Sequence, residues 1–434
     1  MPWTPPVPIV IEQQCVPGAA CPQGAPSPTG NADEATADGG ETASPPIAKP
    51  DVAPPASPKK GLKVGATLRG RYDLRFNDAA ASGEPRTSSH LSFDTLALTA
   101  DYTSDTVFGS AQYRFLGGNF IYGKPAGYRD YPGEVRFLMY AYGGVNLTEA
   151  DSLTAGVQPV PFDDRYWGSS ILNDLAFVYG FEETYNLGVK FRHETPRYRV
   201  ELGFFPASGP AGAGISSDSS RYSTNIARAD SYVPDGSRND ERNMLIGNAS
   251  YTLAATADAK LSATISGWFS TIHNFDTRAD GSKRILAASL TGSKGAWHAK
   301  TLVARQDIDP RNPGRNDIIT VGGFDASYNI ATKGTYIFGE IGRSIDTGSL
   351  PFDIAPYVNY GRFFKDARGF RDSERLDIGA VWSSKRSKRI KVYSEFLIGR
   401  NDPYVGAGQF ISGAAQGGDG RLKKSVLVIF GYSL

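Results

Sequence analysis

Cysteine, methionine and histidine are scarce here: two, three and four residues in a chain of 434. Both cysteines, Cys15 and Cys21, fall near the N-terminus. One short spacing with no histidine nearby argues against a metal site. A local disulfide in an oxidising compartment is the remaining reading of the pair. No run of about 18 apolar residues occurs, so no transmembrane helix is expected. That absence leaves membrane strands open, because they are only half apolar and average out in hydropathy. The net charge of +1 lacks the basic excess of a nucleic-acid binder. The opening MPWTPPVPIVIEQQC has no basic segment followed by an apolar one, so it does not read as a secretory signal. His90, His193, His273 and His298 stand in no metal-ligand spacing and no nucleophile motif. His273 with Asp276 comes nearest to an enzymatic pair, of the kind some membrane barrels use for hydrolysis. The reading is of a protein without catalysis or cofactor.

What is abundant is alternation. In Gly61–Phe76, GLKVGATLRGRYDLRF, the even positions are Leu62, Val64, Ala66, Leu68, Gly70, Tyr72, Leu74 and Phe76, apolar or small. The odd positions include Lys63, Thr67, Arg69, Arg71, Asp73 and Arg75. A strand so patterned has one face in an apolar medium and one in water. It is longer than the usual soluble strand and long enough to cross a bilayer at a tilt. A half-buried strand of a large sandwich is the soluble alternative.

Similar segments recur to the last residue. They include 107–115, 135–147, a stretch ending at Gln158, 185–192, 197–204 and 260–269, with further starts near Leu91, Asn243, Arg284, Ala296, Asp317, Lys333, Ile354, Arg375, Arg389 and Lys423. Tight turns are expected at Thr103-Ser104, Ala255–Asp258, Lys294-Gly295 and Ala331–Gly334. Long gaps are expected at 77–89, 117–133, 207–240 and 307–316. Short turns opposite long loops predict an all-β, up-and-down antiparallel transmembrane barrel. About 17 segments are found, and single-chain barrels have even numbers. The expectation is therefore 16 strands, with 18 as the alternative, and loop parity fails between Ile345 and Arg375. The chain ends on Val426, Val428, Phe430, Tyr432 and Leu434, alternating to its last residue. This is similar to the assembly signal of outer-membrane barrels, with Leu434 where Phe or Trp is usual.

Residues 1–60 are rich in Pro, Ala and Gly, too poor in apolar surface to fold. They are expected to be a disordered periplasmic tail, either free or touching the cell wall or a partner, ahead of a barrel domain at 61–434. Because a barrel must be exported, a signal peptide is expected to have preceded this sequence.

Three motifs lie together. They are Val160-Pro161-Phe162, Tyr179-Gly180-Phe181-Glu182-Glu183 and Tyr185-Asn186-Leu187-Gly188-Val189-Lys190. They resemble a poorly characterised family of Gram-negative porin-like barrels, which carry VPF, an aromatic stretch and Y-G-L-E-D-x-Y-D-L-G. Arg221-Tyr222-Ser223 and Asn239-Asp240-Glu241-Arg242-Asn243 resemble motifs further along those chains. Phe181 stands for the commoner Leu, Asn186 for Asp, and Asp163 for the Gly that often follows VPF. The resemblance covers roughly residues 61–434 and implies an outer-membrane barrel with a pore, naming no solute.

In porins the third loop folds into the lumen and sets its narrowest zone. Carried over, this makes Asp163, Asp164, Arg165, Asp174, Glu182 and Glu183 constriction residues; otherwise the loop caps the barrel from outside. The polar faces of the early strands supply a basic pore lining of Lys63, Arg69, Arg71, Arg75, Arg114, Arg136, Lys190, Arg192, Arg197 and Arg199, unless those cations merely pair with inward carboxylates. Later strands are mixed, with Asp325, Glu340, Asp377 and Glu395 beside Lys300, Arg375 and Lys391. The expected function is a passive channel for small polar, anionic solutes, selected by charge and width. Its partners are membrane lipid and solute, with a homotrimer by analogy with general porins. The alternative is a plugged structural or secretion-linked barrel whose tail does the work.

Overall fold

The computed structural model describes residues 60–434 except 80–84, 118–130, 165, 217, 229–232 and 406–410. The N-terminal tail, with Cys15 and Cys21, and Arg165 lie outside the described residues. The strands are β1 (Gly61–Ala79), β2 (Pro85–Thr103), β3 (Val107–Leu116), β4 (Val135–Asn146), β5 (Asp151–Pro159), β6 (Tyr185–Glu194), β7 (Tyr198–Ser208), β8 (Asn225–Ile226), β9 (Asn239–Ala255) and β10 (Ala259–Asn274). They continue as β11 (Asp280–Lys294), β12 (Trp297–Asp309), β13 (Ile318–Gly323), β14 (Ala326–Ala331), β15 (Lys333–Arg343), β16 (Phe352–Lys365), β17 (Ser373–Ser384), β18 (Ile390–Arg400) and β19 (Lys423–Ser433). One short helix, α1, spans Leu175–Val178.

Sixteen of these strands close into one antiparallel barrel, β1 pairing with β2 on one side and with β19 on the other. Closure satisfies every strand edge, as backbone in hydrocarbon requires. The parity of Gly61–Phe76 fixes the faces. Leu62 and Leu68 are 70% and 51% exposed, whereas Arg69, next to Leu68, and Arg71 are buried inside. An apolar outer face of this kind is a lipid face. Leu68→Arg should therefore cost about 2–4 kcal/mol of barrel stability near the bilayer midplane. Thr67→Arg, one residue away and inward, should be tolerated. Heat- and denaturant-induced unfolding in lipid checks both, and equal stability of the two variants would refute the assignment of faces.

β13, β14 and β8 form a separate small sheet, not part of the barrel wall. All residues of β13 and β14 are buried. The segment starting near Asp317, read as a membrane strand, is thus a hairpin in the connection between β12 and β15. Removing it from the seventeen segments leaves the sixteen that close. Ala331–Gly334 is consequently the junction of β14 with β15 rather than a tight turn. The parity failure belongs here, not at Ile345–Arg375, where β16 and β17 pair regularly over 352–384. Most of the gap expected at 77–89 is also strand, since β1 runs to Ala79 and β2 starts at Pro85.

Two of the register slips bear directly on the expected pore lining. In β3–β4 the register slips after Gln112, so that Tyr113 faces Leu138 and Gln112 faces Tyr140. The extra residue, Met139, inverts the parity of the loop end of β4. Val135, Phe137 and Met139 are buried inside as a result, and Arg136 pairs across with outward Phe115. In β1–β2 the slip lies between Arg69 and Gly70, whose partners are Thr95 and Phe93. The extra residue is Asp94, which is fully buried.

Candidate functional site

The connection between β5 and β6, residues 160–184, runs inward. Its backbone is held from the far side of the ring. Glu340 on β15 accepts the Ser169 N–H and hydroxyl, each at 2.8 Å, and the Tyr166 hydroxyl. Glu395 on β18 accepts the Ser170 hydroxyl at 3.1 Å and the Ile171 N–H. Arg375 on β17 donates to the Asn173 carbonyl at 2.7 Å. Around a ring of sixteen, β15–β18 lie opposite β5 and β6, so the third loop crosses the lumen.

The expected constriction residues other than Arg165 lie along this crossing. Asp163 adopts φ +60°, a left-handed conformation that Asp tolerates better than most side chains, at the position where Gly is commoner in the resembling family. Its carboxylate sits 2.6 Å from the Lys300 amine and accepts the Ser289 hydroxyl. Asp164 takes Arg199 at 3.2 Å. Asp174 caps α1, accepting the Ala176 N–H at 2.6 Å, as an N-cap carboxylate should. Glu182 accepts the Asp174 N–H at 3.3 Å, and Glu183 accepts the Tyr222 hydroxyl.

The expected basic lining divides into groups. Arg69 meets Asp94 at 2.8 Å and Arg71 meets Asp73 at 2.6 Å, all four buried. Arg192 and Arg199 lie 3.5 and 3.4 Å from Glu194 and Glu201. Lys190 donates to the Pro159 carbonyl at 3.0 Å. Arg114 donates to Gln112 at 2.6 Å and lies over the Tyr222 ring. Arg75 faces Ser425 near the loop end, and Lys63 is exposed at the turn end. Two residues are corrected. Arg136 lies on the outer face because of the Met139 bulge and bridges to Ala213. Arg197 stands in the turn before β7, its guanidinium 5.3 Å from the ring of outward Tyr251. Asp325 is likewise not on the wall; it sits at the tip of the β13–β14 hairpin and accepts the Ile215 and Ser216 N–H groups, each at 2.8 Å.

Much of the lumen is apolar. Inward Trp268, Ile272, Ile285 and Leu302 pack against Phe162, Val178 and Phe181 of the third loop and Ile319, Val321 and Tyr328 of the hairpin. Tyr179 stacks on Phe363 at 3.7 Å. Between the third loop and β15–β16 lies a cavity of about 10 Å³, lined by Ser170, Asn173, Asp174, Glu182, Phe338 and Asn359 among others, close to the space of one water.

Ser169, His298 and Glu340 also meet, but not as a relay. Glu340 Oε1 lies 2.8 Å from the Ser169 hydroxyl and 3.6 Å from His298 Nε2, the nitrogen that also faces Ser169. Among the described residues no carboxylate orients the other ring nitrogen, as a nucleophilic triad would need. His273 pairs with Asp280 at 2.7 Å, while Asp276 takes Arg238, which separates the pair expected from sequence.

Burial pushes Glu183 up to about 7, against the opposing effects of the Tyr222 hydroxyl and the Arg114 charge. Burial and the neighbouring Asp174 charge raise Glu182 as well. A carboxyl with a raised folded pKa binds its proton more tightly in the seated loop than in the released one. Its stabilising contribution is complete below the unfolded value and is lost as pH rises through about 7. Amide exchange in 160–184, corrected for intrinsic rate, should be slower at pH 5 than at pH 8. Glu183→Gln should narrow that difference; an unchanged difference would exclude Glu183 as its source.

No protein-family model and no curated protein matches the sequence. Solved structures do match. The outer membrane channel DcaP of Acinetobacter baumannii aligns with a TM-score of 0.55 at 12% identity, over 86% of this chain and 97% of that one. The anion-selective porin from Comamonas acidovorans aligns at 0.51 and 11% identity, over 87% and 100%. The chain has the fold of an outer-membrane porin. The porin fold and the lipid face together point to the outer membrane. The three motifs of the resemblance gain no separate support from these alignments.

Proposed function

We propose that this protein is an outer-membrane diffusion channel for small polar solutes, with its short turns in the periplasm and its long connections outside. The observation that carries the reading is the third loop crossing the lumen. It presents Asp163, Asp164, Asp174, Glu182 and Glu183 within a barrel whose early strands carry Lys63, Arg69, Arg71, Arg114, Lys190, Arg192 and Arg199. Acidic and basic groups held across a narrow, low-dielectric passage order polar solutes by charge.

The pairing inside the barrel sets the size of any selectivity. Arg69 and Arg71 have carboxylate partners, so their fields largely cancel beyond a few ångströms. Lys63 and Arg114 make no ion pair with the described residues, and they supply a modest anion preference. Single-channel recording of the purified barrel should show discrete openings and a reversal potential displaced toward anions at low salt. The displacement should fade as the Debye length falls below about 10 Å. Lys63→Glu, at an exposed position, should move it toward cations. A cation-selective wild type would overturn the anion preference and leave the channel reading standing.

A second reading is a plugged barrel, favoured by the apolar packing of the hairpin and third loop against β10–β12. Water does not readily cross a dry, close-packed core. A purified wild type that stays silent in planar bilayers while remaining folded would favour this reading over the first.

A further inference from the structure

The carboxylates of the third loop differ in their counter-charges. Asp163 and Asp164 have Lys300 and Arg199. Asp174 and Glu182, which flank α1, are buried and make no ion pair with the described residues. The cations nearest to them are committed elsewhere, Lys300 to Asp163 at 2.6 Å and Arg375 to Asp402 at 2.5 Å. Two neighbouring carboxylates out of water repel unless a proton or a cation is held between them.

Both line the cavity of about 10 Å³ between the third loop and β15–β16. Asp174 accepts the Ala176 N–H on Oδ1, and Glu182 accepts the Asp174 N–H on Oε2, so each keeps a second oxygen. On β16, Asn359 turns its amide nitrogen toward Glu340 at 3.5 Å, which leaves its amide oxygen for the cavity it also lines. Asn173 is the deciding residue. Its side chain is 2% exposed and lines the same cavity, and neither its amide oxygen nor its amide nitrogen makes a hydrogen bond, although Glu183 lies beside it. A buried amide without partners is costly. Its backbone is pinned, with φ +55° and the carbonyl receiving Arg375 at 2.7 Å, so the side chain is held at the cavity.

These four side chains offer oxygen only, from two carboxylates and two amides, as hard cations prefer. Among the described residues no three Asp, Glu, His or Cys side chains converge, so the rest of the ligand set is neutral. Two carboxylates balance a divalent charge. Mg²⁺ demands a near-ideal octahedron, whereas Ca²⁺ accepts irregular sets with bidentate carboxylates and water. We propose that Asp174, Glu182, Asn173 and Asn359 bind one Ca²⁺, which ties the third loop to β16. No motif spacing announces the site, because three ligands lie on the loop and the fourth on a distant strand. The clamp needs only the seated loop, whether or not the lumen conducts.

The test uses the full chain, purified in neutral detergent and stripped with a chelator, at pH 8, with Ca²⁺, Mg²⁺ and Tb³⁺ salts as probes. Titration calorimetry should give one Ca²⁺ per chain. Bound Tb³⁺ should luminesce on tryptophan excitation, since Trp167 lines the cavity, and Ca²⁺ should displace it. Trp167→Phe should dim that signal while Ca²⁺ still binds. Amide exchange in 166–184 should slow about tenfold at ten times the dissociation constant. Glu182→Gln should weaken Ca²⁺ binding about tenfold or more, because ligand charge sets affinity. Asn173→Gly keeps the left-handed conformation and should weaken it as well. Asp276→Asn, at a loop carboxylate paired with Arg238, should bind like wild type. Heat-modifiable gel migration reports folding; should Glu182→Gln not fold, Asn173→Gly decides. No uptake at millimolar Ca²⁺, unchanged affinity in the folded site variants, an equal loss in Asp276→Asn, or equal affinity for Mg²⁺ would each overturn the proposal.

Discussion

Arg375→Ala should release the third loop from the lumen wall while the barrel stays closed. Arg375 is buried on β17 and grips Asp402 through two guanidinium nitrogens, at 2.5 and 2.9 Å. Another nitrogen donates to the Asn173 carbonyl at 2.7 Å. One side chain thus joins the wall, the connection between β18 and β19, and the third loop. Its removal leaves the Asp402 carboxylate buried without its partner, which typically costs about 3–5 kcal/mol. The barrel's sixteen-strand ladder does not pass through this contact, so the loss should fall on the loops. Limited proteolysis and amide exchange should show residues 166–184 opening, with heat-modifiable migration retained. Arg375→Ala/Asp402→Ala should recover part of the loss, because no buried charge then remains unpaired. A single variant as protected as wild type would mean that Glu340 and Glu395 hold the loop without it.

The barrel was legible because its rule is local. Strict alternation in Gly61–Phe76 and at the C-terminus follows from one face in lipid and one in the lumen, and it needs no knowledge of partners. Bulges break that rule without a signature in composition. Met139 looks like any other apolar strand residue, yet as the extra residue it inverts Val135 and Phe137 and sends Arg136 outside. Asp94, the counter-ion of Arg69, was missed for the same reason: only the slip opposite Arg69 places it inside.

The lumen hairpin was harder. Its two-residue turn is Phe324-Asp325, both at positive φ, 50° and 68°. A turn of this hand normally announces itself by Asn-Gly or Asp-Gly, and here neither is present. The hairpin is buried on both faces, so β13 and β14 show no alternation that would tell them from a wall strand cut short. Tertiary packing sets this conformation, with Asp325 receiving the Ile215 and Ser216 N–H groups and Tyr328 donating to the Val178 carbonyl at 2.7 Å. The third loop was legible as a long segment between the strand ending near Gln158 and the one starting at Tyr185, but whether it folds inward or caps the barrel was not. Its anchors, Glu340, Glu395 and Arg375, were visible only as inward charges of unknown partner, because the sequence does not say which wall a loop will reach.

Replacing residues 310–332 by a short Gly-containing turn should raise the single-channel conductance several-fold. The strands flanking this connection are neighbours, with Asp307 facing Lys333, so a tight turn can join them, and a shorter connection carries no added closure cost. The excised hairpin contributes Ile319, Val321, Tyr328 and Ile330 to the core that fills one side of the lumen. Its loss leaves Trp268, Ile285 and Leu302 facing a gap too large to collapse onto a rigid wall, and water enters it. The third loop loses its Tyr328 contact but keeps Glu340, Glu395 and Arg375. The expected variant is therefore a wider channel, somewhat less stable than wild type, with its charged crossing still present. If the wild type conducts and the variant conducts equally, the solute path runs on the β1–β5 side and the hairpin only braces the loop. If the wild type is silent and the variant opens, the plugged-barrel reading gains at the expense of the diffusion channel. A folded variant that remains silent would show that the third loop alone closes the barrel, and Arg375→Ala would then be the substitution expected to open it.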